Sequence, residues 1–195
     1  MFTYLKTAAV ASLVMLPLSA SAEILKLEPA NPQPSAGALA QGLAVTYAAL
    51  PSDVRNLELA KRALDKRGEP GAPIEGLVYD DTASGQTVMT SERLEKVGAE
   101  ISGYIKFDAP GTYTLDFLTN DGLEISIGGQ LVGLYDGIHA CGYAGEVDVE
   151  VPKAGFYPLQ ATYFQRKGTA CLMMEWGPDS DGLELVTKDA FFHAQ

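Results

Sequence analysis

From about residue 74 onward the chain reads with a period of two, and this constrains its fold more than any other feature. Ile101, Ile105 and Phe107 alternate with Ser102, Tyr104 and Lys106; Tyr113, Leu115 and Phe117 alternate with Thr114 and Asp116. Leu123, Ile125 and Ile127 follow, then Val147, Val149 and Val151, then Leu159, Ala161 and Tyr163, then Leu172, Met174 and Trp176. Successive side chains of a strand point to opposite faces, so each run buries one face and wets the other, as antiparallel strands require. A helix would need a period near 3.6.

Turn residues separate the runs: Ala109-Pro110-Gly111, Asn120-Asp121-Gly122, Gly128-Gly129, Lys153-Ala154-Gly155 and Lys167-Gly168. Gly128-Gly129 suits a two-residue hairpin, because both glycines accept positive φ. Many short strands at this spacing predict an all-β protein, an antiparallel sandwich. One helix is expected near the N-terminal part, from Ser52 to about Lys66. Val54, Leu57, Ala60, Lys61 and Leu64 keep helical spacing, Ser52 can cap the start, and Gly68 with Pro70 can end it.

Three segments precede or frame this unit. Residues 1–22 read as a signal peptide: Lys6 gives the positive end, Ala8 to Leu18 the apolar stretch, and Ala20-Ser21-Ala22 the small residues before a cleavage point. The apolar stretch is shorter than the roughly 20 residues of a spanning helix, so no membrane insertion is expected after cleavage. Residues 23–41, rich in Pro and Ala, read as an extended lead-in, and residues 42–195 as the sandwich domain.

The chain carries 25 acidic and 14 basic side chains, a net charge of −11, one unit more negative once Lys6 is removed. No basic stripe exists to neutralise phosphates, which excludes nucleic acid as a partner. Cys141 and Cys171 are the only cysteines. An even count in an exported chain favours one disulfide over two free thiols. The expected location is extracytoplasmic, in the periplasm or secreted.

In order and spacing, several motifs resemble the PA-fourteen domain family, named after the anthrax toxin protective antigen. They are Gly103-Tyr104-Ile105, Pro110-Gly111-Thr112-Tyr113-Thr114, and Thr119 through Gly129 with Asn120-Asp121-Gly122 inside it. Ala154-Gly155-Phe156-Tyr157-Pro158-Leu159, Thr162-Tyr163-Phe164 and Glu175-Trp176-Gly177-Pro178 follow. The resemblance runs from about Gly42 to His193. It implies a lectin-like β-sandwich whose usual role is binding, often of carbohydrate.

In the yeast adhesin branch of that family, two adjacent Asp residues joined by a cis peptide hold a calcium ion that contacts sugar hydroxyls. The matching positions here are Asn120 and Asp121, so the resemblance implies a calcium site with one carboxylate replaced by an amide. The family's acid before the hairpin glycine is Gly128 here, which removes another negative group. Calcium takes six to eight oxygens, and ligand charge helps set its affinity. The other reading of Asn120-Asp121-Gly122 is a turn, since Asn and Asp bond their own backbone and tolerate left-handed φ.

A second candidate segment runs from Tyr135 to Tyr143. Asp136 and His139 can bind a polar ligand, and Tyr135 can stack on a sugar ring; in this fold the segment is expected beside Asn120-Asp121. Trp176 alternates in phase with Leu172 and Met174 and reads as core. Asp80-Asp81 and Asp179-Ser180-Asp181-Gly182 read as turns.

Catalysis finds no support in the sequence. Ser84 lacks the strand–elbow–helix setting of a nucleophile, His139 and His193 form no metal-ligand pair, and no phosphate-cradling glycine loop is present. The expected function is a non-enzymatic binding module for glycan or another cell-surface polymer, with ligand contacts from Asn120, Asp121, Asp136, His139 and Tyr135. The alternative is a structural or assembly protein of the cell envelope that binds a protein partner.

Overall fold

The period-two runs form the two layers of a sandwich. The computed structural model describes residues 24–195, and the expected signal peptide at 1–22 lies outside the described residues. In chain order the first strands are β1 (Leu25–Lys26), β2 (Leu39–Gln41) and β3 (Ala44–Ala49). Helix α1 (Leu57–Arg67) comes next, then β4 (Glu69–Pro70), β5 (Val78–Tyr79), β6 (Val97–Phe107) and β7 (Gly111–Thr119). They are followed by β8 (Gly122–Ile127), β9 (Gln130–Tyr135), β10 (Gly142–Tyr143) and β11 (Val147–Val151). The last are β12 (Gly155–Gln165), β13 (Leu172–Gly177), β14 (Glu184–Leu185) and β15 (Phe191–Ala194).

One sheet runs β1-β11-β7-β13-β14, with β10 and β5 added beside β7 and β13. The other runs β2-β15-β6-β12-β8-β9, with β3 and β4 attached to β6. Nearly all pairs are antiparallel; β1 with β11 is parallel. The inward side chains meet in one core. Ile101, Ile105, Phe107, Leu159 and Tyr163 from one sheet face Leu115, Phe117, Val149, Leu172 and Met174 from the other, all fully excluded from solvent. Each such side chain stabilises the fold by about 1.5–3 kcal/mol relative to exposure.

The expected hairpin is present: Gly128 (φ +54°) and Gly129 (φ +77°) join β8 to β9. Trp176 is half-buried and packs on Phe107 and Tyr113, with ring centroids 5.2 and 6.0 Å away.

Two expectations change. Helix α1 begins at Leu57, not Ser52. Asn56 is its N-cap and accepts from the Leu59 N–H at 3.0 Å, while Ser52 and Asp53 sit in a preceding turn. A carboxylate distant in sequence fixes this start: Asp136 Oδ1 accepts the Leu57 N–H at 2.6 Å. Gly68 ends the helix in extended backbone (φ −67°) and donates to the Leu64 carbonyl.

Within the segment expected to be an extended lead-in, Leu25–Lys26 belong to one sheet and Leu39–Gln41 to the other. Leu25 and Lys26 pair with Val149 and Glu150, Leu39 to Gln41 pair with β15, and Leu27 is 0% exposed. Proline limits the length of these strands, but their side chains and N–H groups still find partners in the sandwich.

Helix α1 lies on the outer face of the second sheet, over its own small core of Leu50, Val54, Leu57, Ala60, Leu64 and Phe164. Gly122 on β8 has no room for a side chain, because a Cβ would stand 2.2 Å from the Phe164 ring. If the lead-in is part of the packed unit, Leu27→Ala is expected to cost about 2–5 kcal/mol. Urea unfolding with native-state circular dichroism as control measures this; an unchanged midpoint would mean that the lead-in contributes nothing to the core.

Candidate functional site

The chain changes sheet four times at the same end of the sandwich. Residues 80–96 join β5 to β6, Asn120-Asp121 join β7 to β8, 136–141 join β9 to β10, and 166–171 join β12 to β13. The tightest of these crossings is two residues long. It needs a left-handed residue, and Asp121 supplies it with φ +64°.

Asn120 and Asp121 are 4% and 2% exposed, and their polar atoms hold the neighbouring crossings. Asp121 Oδ2 accepts the Arg166 N–H at 2.6 Å. The Asp121 N–H and the Asn120 amide both donate to the His139 carbonyl, each at 3.2 Å. The Asn120 N–H donates to the Cys171 carbonyl at 3.1 Å. Cys141 and Cys171 form the expected disulfide. A link across 30 residues contributes about 3–4 kcal/mol by constraining the unfolded chain, and it suits an oxidising compartment.

The loop from 136 to 141 therefore lies beside Asn120-Asp121. His139 stacks on Tyr135, with ring centroids 3.7 Å apart and planes 17° from parallel. Asp136 is exposed, with one oxygen given to the start of α1. Asn120, Asp121, His139, Tyr135 and Asp136 thus share one end of the molecule, but only the last three reach solvent.

Four buried polar atoms in this region have no hydrogen-bond partner: Asn120 Oδ1, His139 Nε2, Tyr163 Oη and Arg166 Nε. Burial pushes the Tyr163 phenol well above its ordinary pKa, with the Asp121 charge adding to the rise. Burial also raises the Asp121 carboxyl, opposed by hydrogen bonds from the Arg166 and His139 backbone and by the charges of those two side chains.

These donors do not fit the calcium ion that the family resemblance implies at Asn120 and Asp121. The 120–121 peptide is not cis; among the described residues only Asn31-Pro32 is. One Asp121 oxygen is committed to Arg166, and Asn120 offers a single free oxygen where six to eight are wanted. The remaining orphaned atoms belong to a phenol, an imidazole and a guanidinium, and the last of these repels a cation. Asp81 lies close to Cys141 and Cys171, but both sulfurs are bonded to each other and offer no thiolate.

Sequence reasoning missed Arg166 and Tyr163. Tyr163 reads as an ordinary inward residue of a strand, and Arg166 as the edge of the Lys167-Gly168 turn. The usable signal was position: residues 166–171 lead to Cys171, so they had to pass the disulfide end. Asp179 caps a single 3-10 turn at Ser180–Gly182 and accepts the Asp181 N–H, in keeping with the turn expected there. Asp80 and Asp81, by contrast, lie in irregular backbone, and the nearby turn falls at Ser84-Gly85.

Two measurements follow from this geometry. The thermal midpoint is expected to be the same in EDTA and in millimolar calcium, whereas a bound ion at about 100 times its dissociation constant would add roughly 2.7 kcal/mol. Because burial raises the folded Asp121 pKa above the unfolded one, the ionised form costs stability as pH rises through the folded value. Asp121→Asn keeps an acceptor for Arg166, so its stability relative to the parent should rise with pH above the ordinary carboxylate range. A relative fall in chemical-denaturation series across that range would show that the charged form is the favoured one.

A family model described as the PA14 domain matches residues 64–190. Among solved structures, the PA14 domain of the MpAFP antifreeze protein aligns with TM-score 0.66 at 15% identity, covering 80% of this chain and 92% of that one. A PA14 sugar-binding domain from an RTX adhesin aligns with TM-score 0.63 at 18% identity, covering 79% and 99%. The Epithelial Adhesin 9 A domain from Candida glabrata, in complex with Galb1-3GlcNAc, aligns with TM-score 0.66 at 15% identity, covering 89% and 97%. Comparison with curated proteins finds no match. With the family model spanning well over half of its length, the chain belongs to the PA14 domain family.

Proposed function

We propose that this PA14 domain is an exported, non-enzymatic glycan-binding module that reads its ligand at the crossover end of the sandwich. The observation that carries the reading is the Tyr135–His139 stack held over buried Asn120 and Asp121. Sugar-binding relatives of the same fold support the ligand class. In this reading Tyr135 offers an aromatic edge and face to a sugar ring. His139 through Nδ1 (its Nε2 being buried) and the free oxygen of Asp136 bond hydroxyls, and Asn120 and Asp121 position the loop without touching sugar. No metal ion takes part.

Export rests on residues 1–22 and on the disulfide, which needs an oxidising compartment. No helix among the described residues is long and apolar enough to cross a membrane.

A protein partner is the second reading. It is favoured by β9, an edge strand with Leu131 and Leu134 48% and 49% exposed, since an open apolar edge is a surface for strand pairing. An envelope assembly partner would dock there.

The test is a glycan array run in EDTA, followed by titration of the best binder. His139→Ala and Tyr135→Ala are expected to weaken binding about tenfold or more, a loss of at least 1.4 kcal/mol, with thermal midpoints close to the parent. Undiminished affinity in both variants removes the crossover end as the site. Absence of any glycan signal, with a stoichiometric protein co-purifying through Leu131 and Leu134, establishes the second reading instead.

A further inference from the structure

The outer face of the helix-bearing sheet carries a groove that the crossover end does not use. It opens where α1 stops covering β6, β12 and β8. Two cavities of about 340 and 300 Å³ lie along it and share Ser102 and Gln160 in their linings, which makes them one trough within the usual range for small-ligand sites.

Strand register orders its floor. Glu100, Thr162 and Glu124 stand side by side across β6, β12 and β8, and Ser102, Gln160 and Ser126 form the next row. These are the outward residues of the period-two pattern, so both rows point away from the core. Beyond them Tyr104 pairs with Pro158, and its half-buried ring rests against Phe156 at 6.4 Å. From Glu100 to Tyr104 the floor spans four residue steps, about 13 Å.

We propose that this trough is a second carbohydrate site, selective for oligosaccharides that carry protonated amines. The two rows supply hydroxyl and amide groups that can both donate to and accept from sugar hydroxyls. Tyr104 offers a ring at one end for stacking. Charge decides the class of sugar. Lys61 on α1 neutralises Glu124 at 2.6 Å, while Glu100 and Asp65, which line the same trough, enter no ion pair among the described residues. Two uncompensated carboxylates over a floor of hydroxyl and amide groups match a ligand with ammonium groups among its hydroxyls. The site is independent of the loops proposed for glycan recognition.

The experiment is calorimetric titration with a β-1,4-linked glucosamine tetramer and with its N-acetylated counterpart, at a pH where the free amines are protonated. The two differ in the acetyl group on each nitrogen, which removes the charge and adds bulk, so the Glu100→Gln variant serves to separate charge from size. The free-amine oligomer is expected to bind about tenfold tighter or more. Glu100→Gln, which removes one charge with little change of shape, is expected to erase most of that preference. Tyr104→Ala is expected to weaken both oligomers together. Glu146→Gln, an equal charge change in the loop before β11 of the other sheet, is expected to leave both unaffected. Equal binding of the two oligomers, an unaltered preference in Glu100→Gln, the same loss in Glu146→Gln, or no binding at all would each overturn the proposal.

Discussion

The carboxylate of Asp121 holds together the end of the sandwich where the chain changes layers. A two-residue crossing between facing sheets leaves the backbone no room for an ordinary turn, so one residue must take left-handed φ. Asp121 does so and spends an oxygen on the Arg166 N–H, which fixes the return crossing from β12 to β13. Its own N–H and the Asn120 amide fix the third crossing through one carbonyl, that of His139. The disulfide closes the set from the other side. Removing the Asp121 acceptor would leave the Arg166 N–H unmatched, at a cost of about 1–3 kcal/mol.

This explains how the PA14 frame persists here without the acidic pair that the resemblance implies for a metal. The Arg166 backbone N–H takes up one oxygen of Asp121, and the Asn120 side-chain amide and the Asp121 N–H are held by the His139 carbonyl. The result is a corner rigid enough to present the Tyr135–His139 stack. The exposed part of the end is aromatic and imidazole, backed by a buried polar layer.

Much of the fold was legible because hydrophobic alternation records burial directly. The runs 147–151 and 123–127 coincide with β11 and β8 within a residue, and the glycine hairpin stands where two positive φ values were needed. What alternation cannot record is burial of segments too short to show a period. Leu27 reaches the core from a two-residue strand, and Leu39 to Gln41 pair with the last strand from a Pro-flanked stretch. The helix start was misplaced because Asn56 wins over Ser52 only with the help of Asp136, which is 79 residues away.

The site was half legible for a related reason. Asn-Asp-Gly announces a turn, and its place in the family pattern announces an important one; that both side chains are buried and face backbone follows from neighbours contributed by other crossings. Tyr135 and His139 were legible as residues and not as a stacked pair, since their contact depends on how the loop folds back.

The pairing of β2 with β15 has a consequence for how such a chain is made. Leu39 to Gln41 pair with Phe192 to Ala194, and the Leu39 carbonyl also accepts from the Gln195 amide, so this edge of the layer cannot close until those residues are present. Pairings this distant in sequence slow folding. A chain threaded through an export channel from its first residue would therefore reach the far side with this edge still open. It would complete the layer only after its tail had followed, a delay that favours folding after translocation rather than before it.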